Sequence, residues 1–218
     1  MLIGVNWGFA SARGRPSLPS MVEIGSLSTT ALTLDTWDAF AALVERHNGV
    51  WGGCWCTWFL TRAAEKERDA DKNRELKKRR VGEGTTHAAL VMDGDRAVGW
   101  CDFGTPDELP NIYHRKQYDE TTTRLPDYRV TCFFVDRDYR RNGVALVALQ
   151  GALQLIAEAG GGVVEGYPHD TGGARMSASF LYNGTRGMFE DAGFVYDRAK
   201  GAKNCVMVRT VAPAAGAR

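Results

Sequence analysis

The stretch CFFVDRDYRRNGVALVALQGALQLIAEAG, Cys132 to Gly160, constrains the fold more than any other part of the chain. An apolar run of strand character ends at Val135, a short charged loop follows, and a long apolar-periodic segment from about Asn142 to Ala159 reads as a helix stopped by Gly160-Gly161-Gly162. Where a strand feeds a helix in this way, the first helical N–H groups have no intrahelical partner and the helix dipole adds partial positive charge. Such an end is a site for an anion. Gly143 and Ala145 keep the surface low enough for a phosphate to reach the backbone, and Arg140 and Arg141 can add charge-assisted hydrogen bonds. The loop lacks both the Gly-Lys-Ser/Thr ending of a nucleotide-binding P-loop and the G-x-G-x-x-G of a dinucleotide fold, so the expected phosphate ligand is of another kind.

The rest of the chain supplies alternating elements. A strand near Thr30–Leu34 leads into Asp35, the expected N-cap of a helix running to His47. A charged helix is expected over Arg62–Arg80, its basic end Lys77–Arg80 reading as a solvated terminus. HAALVMD and RAVGWCDFG flank Gly94-Asp95 as a hairpin. An irregular stretch holding Ile112, Tyr113 and Tyr118 precedes the strand Tyr128–Val135. Beyond the long helix come the strand Val163–Pro168, a helix near Gly184–Ala192 capped by Gly193, and two strands around Lys200-Gly201. A strand, crossover helix and parallel strand within an otherwise hairpin-linked order predicts an α/β (α+β) fold: a mixed, mostly antiparallel sheet with one parallel pair, flanked by helices.

With 218 residues and 44% apolar content, one domain over residues 27–211 is expected. Residues 1–26 read as a loosely ordered arm, with Met21 as an alternative start, and 212–218 as a flexible tail. The 27 basic and 26 acidic residues balance to +1, which gives no general field for nucleic acid or an anionic membrane. No run approaches the roughly 20 apolar residues of a membrane span, so a cytoplasmic protein is expected. The five cysteines, odd in number and mostly inside apolar runs, read as reduced core thiols.

In Arg140-Arg-Asn-Gly143-Val-Ala145, preceded by Val135-Asp136, the sequence resembles the acyl-CoA loop Arg/Gln-x-x-Gly-x-Gly/Ala of the GNAT superfamily of N-acetyltransferases, and the closing Ala192-Gly193-Phe194 is similar to that family's usual end. The resemblance spans about Thr30 to Val211 in element order and is motif-specific at Phe133–Ala145 and Met188–Phe194. It implies acetyl-CoA as co-substrate, its diphosphate on the N–H groups of Arg141, Asn142, Gly143, Val144 and Ala145 beside Arg140. It also implies that the parallel pair splays and that the pantetheine arm pairs with the edge of Phe133, Phe134 and Val135. The implied activity is direct acetyl transfer to a primary amine, and the aromatic pocket suggests a small molecule more than a protein tail; the alternative is a non-catalytic acyl-CoA-binding module of the same fold. No nucleic-acid partner is expected, and a homodimer is left open.

The sequence departs from the family at two points. Where many members carry a thiolate-protonating tyrosine it has Phe189, which leaves Tyr182 as the nearest acid, and no carboxylate occupies Arg129–Val135 as base. Glu165, sharing a strand face with Val163 and Tyr167, is the expected base or substrate contact, and Asp102 is the reserve. The aromatic stretch WGGCWCTWF, Trp51 to Phe59, reads by alternation as a strand apolar on both faces, hence buried, and the resemblance implies that this segment, with Trp55 and Trp58, forms part of the acceptor-side wall. Such a wall suits an acceptor with an apolar or aromatic body, or a cation. Cys54 and Cys56, with His47 nearby, do not make a ligand set, so no metal is expected.

Overall fold

The structure is a computed structural model that describes residues 26–62, 66, 68–170 and 182–216. The expected arm lies outside the described residues up to residue 25, as do the last two residues of the tail. Seven strands form one sheet: β1 (Ser28–Ala31), β2 (His87–Asp93), β3 (Arg96–Gly104), β4 (Tyr128–Val135), β5 (Gly162–Gly166), β6 (Val195–Lys200) and β7 (Asn204–Val211), in the order β1-β2-β3-β4-β5-β7-β6. Every pairing is antiparallel except β4 with β5, which is parallel and short: Tyr128, Arg129 and Val130 face Val164, Glu165 and Gly166. This is the mixed sheet the element order predicts, and beyond Val130 the two parallel strands part.

Among the described residues five α-helices cover the faces: α1 (Trp37–Arg46), α2 (Ala70–Gly82), α3 (Arg115–Thr121), α4 (Val144–Glu158) and α5 (Arg186–Asp191). α4 lays Val144, Ala148, Leu149, Ala152 and Ile156 on one face of the sheet, against Val91, Val98, Cys101, Val130 and Val164. α1 buries Trp37, Phe40, Ala41, Leu43 and Val44 on the opposite face, where Trp55, Trp100 and Phe134 join them. A smaller cluster, Ile112, Tyr118, Tyr167 and Val206, sits under α3.

Three expectations are corrected here. The first helix is preceded by Thr36, not Asp35, and no side chain caps it. The second helix begins eight residues later than expected because Asp69 caps it, accepting from Asp71 N and Lys72 N at 2.9 and 3.0 Å. The stretch from Trp51 to Phe59 is a chain of turns, not a strand. Positive φ at Val50, Trp51, Trp55 and Cys56 breaks the alternation, and Gly53 (φ 89°) packs so close to Ala70 that a Cβ there would meet it at 2.5 Å.

Candidate active site

The β4–α4 connection is anchored from below. Asp136, 2% exposed, accepts from Arg96 Nη2 at 2.9 Å and Arg46 Nη2 at 3.2 Å, and His47 Nε2 lies at 3.3 Å. Burial alone would raise its carboxyl, but the Asp138 N–H, Arg96, Arg46 and His47 outweigh burial and lower it to about 2. From this anchor a 3-10 turn (Arg137–Tyr139) leads to Arg141 and Gly143, both at positive φ (66° and 73°). Gly143 is the α4 N-cap and contributes no side-chain cap. Among the described residues no acceptor meets the N–H groups of Gly143, Val144 and Ala145, and Arg140 and Arg141 are exposed beside them. Open N–H groups at a helix N-terminus are the geometry that an anion there requires.

Arg140 Nε donates to the Val135 carbonyl at 3.1 Å, and its guanidinium lies 5.9 Å from the Phe134 ring. On the same edge, the Phe133 N–H donates to the Tyr182 carbonyl at 2.7 Å. The edge of Phe133–Val135 is thus splayed from β5 as expected but already engaged by the chain. A pantetheine amide pairing with Phe133 N–H must displace Tyr182.

Tyr182 stands at this gap in an aromatic group. Its ring packs 6.1 Å from Trp51, 6.0 Å from Tyr113 and 6.0 Å from His169. Burial pushes both the Tyr113 and Tyr182 phenols up, so both are protonated at neutral pH. His169, 9% exposed, follows β5 by three residues, and its backbone is clamped by bonds to Gly184 and Arg186. The sequence reading passed over His169; a histidine just past the end of the splaying strand was the available signal.

Glu165 is placed otherwise than a free base requires. Oε2 accepts from Tyr118 at 2.7 Å and Tyr167 at 2.9 Å, and Oε1 from Arg198 at 3.3 Å, in a carboxylate 4% exposed. It belongs to the paired part of β5, opposite Arg129, and not to the gap. The shared face of Glu165 and Tyr167 is as alternation predicts; the tyrosine from α3 and the arginine from β6 were not foreseen. Asp102, the reserve, is sealed in the core, with both oxygens 3.2 Å from Lys77 Nζ. Lys77, expected in solvent, is fully buried. At 2% exposure Asp102 has no route to a substrate, and burial raises its carboxyl even against that ammonium. Phe189 is buried against Phe133 and Phe194, and its ring fills the space where a Gly166 side chain would stand. A hydroxyl there would point into the core.

Trp55 is corrected: 4% exposed and stacked on Trp37 at 6.0 Å, it belongs to the core and not to a pocket wall. Trp58 is 39% exposed, stacks on Tyr113 at 5.7 Å and continues the aromatic group at the gap. Cys56 turns inward to meet Asp102 and Cys132, their ligand atoms within 4.8 Å of one another; Cys54 is not part of the group. Lys77 already provides that cluster's cation, and burial holds the Cys56 thiol well above its ordinary range. All five cysteines are free thiols. No helix among the described residues is long and apolar enough to cross a membrane.

No family model matches the sequence, and no curated protein matches it. Solved structures do. A protein assigned to the GNAT acetyltransferase family from Desulfovibrio desulfuricans is similar over 85% of this chain and 99% of its own, at 19% identity and a TM-score of 0.50. A ribosomal-protein-S5-alanine acetyltransferase from Vibrio fischeri is similar over 87% and 96%, at 10% identity and a TM-score of 0.49. A GNAT-family acetyltransferase from Bacillus cereus covers 84% and 96%, at 14% identity and a TM-score of 0.46. The fold is that of the GNAT acetyltransferases: a mostly antiparallel sheet, one parallel pair that parts, and a helix whose N-terminus opens beside the gap.

Proposed function

We propose that the chain is an acetyl-CoA-dependent N-acetyltransferase that moves an acetyl group directly onto a primary amine of a small molecule. The observation that carries this reading is the conjunction, in this fold, of β4 and β5 parting after Val130 with the open N–H groups of Gly143–Ala145 at the end of the same strand. In this reading the α4 N-terminus, Arg140 and Arg141 hold the diphosphate, and the thioester lies in the gap beside Tyr182.

Transfer then needs one bond made and one broken. The amine nitrogen attacks the thioester carbonyl carbon, the carbon–sulfur bond breaks, and the sulfur leaves as thiolate. Tyr182 supplies the proton for the thiolate, its phenol being protonated at working pH. The proton shed by the nitrogen goes to His169, whose ring packs against Tyr182. Glu165 serves by position, holding Tyr118 and Tyr167 at the paired end of β5. Trp51, Trp58 and Tyr113 give the acceptor side of the gap an aromatic wall, which favours an apolar or aromatic amine or its cation.

The second reading, a non-catalytic acyl-CoA-binding module, draws on the burial of Phe189 and on the occupied lone pairs of Glu165. A screen of amines with acetyl-CoA, followed by release of free thiol, separates the two. Thiol release that depends on the amine and falls in Tyr182→Phe/His169→Asn supports the enzyme; acetyl-CoA binding with no amine-dependent release across the screen favours the module.

A further inference from the structure

Behind Tyr113 lies a cavity of about 720 Å³, lined by Ile112 and by Arg62, Arg115 and Arg129 against Asp107 and Asp119. Arg115 and Arg129 share this wall with Asp107 and Asp119. Ile112 borders the cavity while the next residue, Tyr113, packs on Tyr182. Successive Cα atoms stand about 3.8 Å apart, so one residue of chain separates the cavity from the gap.

Arg129 is the member that asks for a ligand. It is 3% exposed, yet its Nε has no hydrogen-bond partner. Its Nη1 donates to the Leu109 carbonyl at 2.9 Å, which fixes the guanidinium in place. The carboxylate of Glu165, on the facing residue, is already engaged by Tyr118, Tyr167 and Arg198. A buried charged donor left unmade is costly and uncommon, and it marks a place where a group belongs. The surroundings are short of negative charge in the same direction. Lys200, 2% exposed, stands 4.8 Å from the Tyr167 ring, and burial together with the charge of Arg129 lowers its ammonium to about 8.

We infer that this cavity receives a carboxylate on Arg129, so that the amine acceptor is one that carries a carboxylate, as an amino acid does. The inference rests on the N-acetyltransferase reading and narrows it. A planar, singly charged carboxylate matches the fork of the Arg129 guanidinium, whereas a phosphate dianion would meet the repulsion of Asp107 and Asp119 in the same wall. The amine then points past Ile112 toward Tyr182 and His169, and the cavity holds the rest of the acceptor.

The test reads binding separately from turnover. Full-length protein saturated with CoA is titrated calorimetrically with two matched pairs of product analogues: N-acetylphenylalanine against N-phenethylacetamide, and N-acetylleucine against N-isoamylacetamide. Wild-type protein is expected to bind the carboxylated member about tenfold or more tightly. Arg129→Gln should bring each pair to near equality, Arg129→Lys should restore part of the difference, and CoA affinity should stay constant throughout. Should Arg129→Gln fail to fold, Arg115→Gln at the exposed rim is expected to reduce the preference about two- to fivefold. Equal binding within both pairs, binding of no member, or an undiminished preference in the folded variants would overturn the inference. Intact preference without any acetyl transfer would count against the enzyme reading alone. Transfer to phenethylamine as readily as to phenylalanine would count against the carboxylate alone.

Discussion

One strand, β4, has two ends that do different work. At its paired end, Arg129 lies opposite Glu165 among Tyr118, Tyr167, Arg198 and Lys200, a dense polar cluster on the face that carries the cavity. At its splayed end, Phe133 and Val135 leave β5, and the loop beyond them is tied down by Asp136 so that α4 presents bare N–H groups. Three residues of the strand are paired with β5 and five are not, and in the proposed function these become an acceptor end and a co-substrate end. Changes at one end should therefore leave the other's ligand alone.

The largest expected effect falls where the two ends meet. His169→Asn should lower kcat about 10²–10⁴-fold with acetyl-CoA affinity unchanged, the usual share of a general base. Steady-state rates and calorimetry on the same preparation check it; a wild-type kcat would remove His169 from the chemistry. Tyr182→Phe should cost less, about tenfold, because a thiolate is already a tolerable leaving group.

Next in size is the paired end. Glu165→Gln removes the one buried carboxylate among Arg129, Arg198 and Lys200, and leaving such cations unbalanced costs about 3 kcal/mol. Thermal unfolding should fall by roughly 6–12 °C for a chain of this size. Acetyl-CoA affinity should hold, whereas a matching loss of it would erase the division of the strand.

The smallest effect falls on Asp136, the anchor beneath the splayed end. The Asp136 carboxyl is lowered on folding, so it contributes stability at pH values above its ordinary range near 4 and loses that contribution as pH falls toward 2. With exposed Arg46 and Arg96 as partners, screening limits the contribution to about 1–2 kcal/mol. Asp136→Asn should lose that much at pH 7, flatten the fall in stability between about pH 4 and 2, and weaken acetyl-CoA binding severalfold. Denaturant titrations across that window read the first two effects.

The splayed end was legible in the sequence because its cause is local. A strand, a turn with glycine where positive φ is needed, and an apolar helix all lie within Cys132–Gly160. The paired end was half legible. Alternation put Glu165 and Tyr167 on one face, but Tyr118 and Arg198 arrive from 47 and 33 residues away, and α3, with Tyr118 as its one buried residue and no side-chain cap, offers no period to read. The aromatic stretch was misread because positive φ at Val50, Trp51, Trp55 and Cys56 follows from no residue preference. Tertiary packing imposes those turns, which send Trp55 into the core and leave Trp58 at the gap.

Binding of the acetyl-CoA diphosphate at the α4 N-terminus, as proposed, is tested most directly by calorimetry with wild type and Gly143→Trp. Gly143 sits at φ 73°, so the substitution carries about 1–2 kcal/mol of backbone strain, and melting is followed in parallel. The expected result is stoichiometric binding by wild type, with affinity reduced about 100-fold or more in a variant that remains folded. Equal affinity in the two folded proteins, or no binding by wild type, would contradict the account.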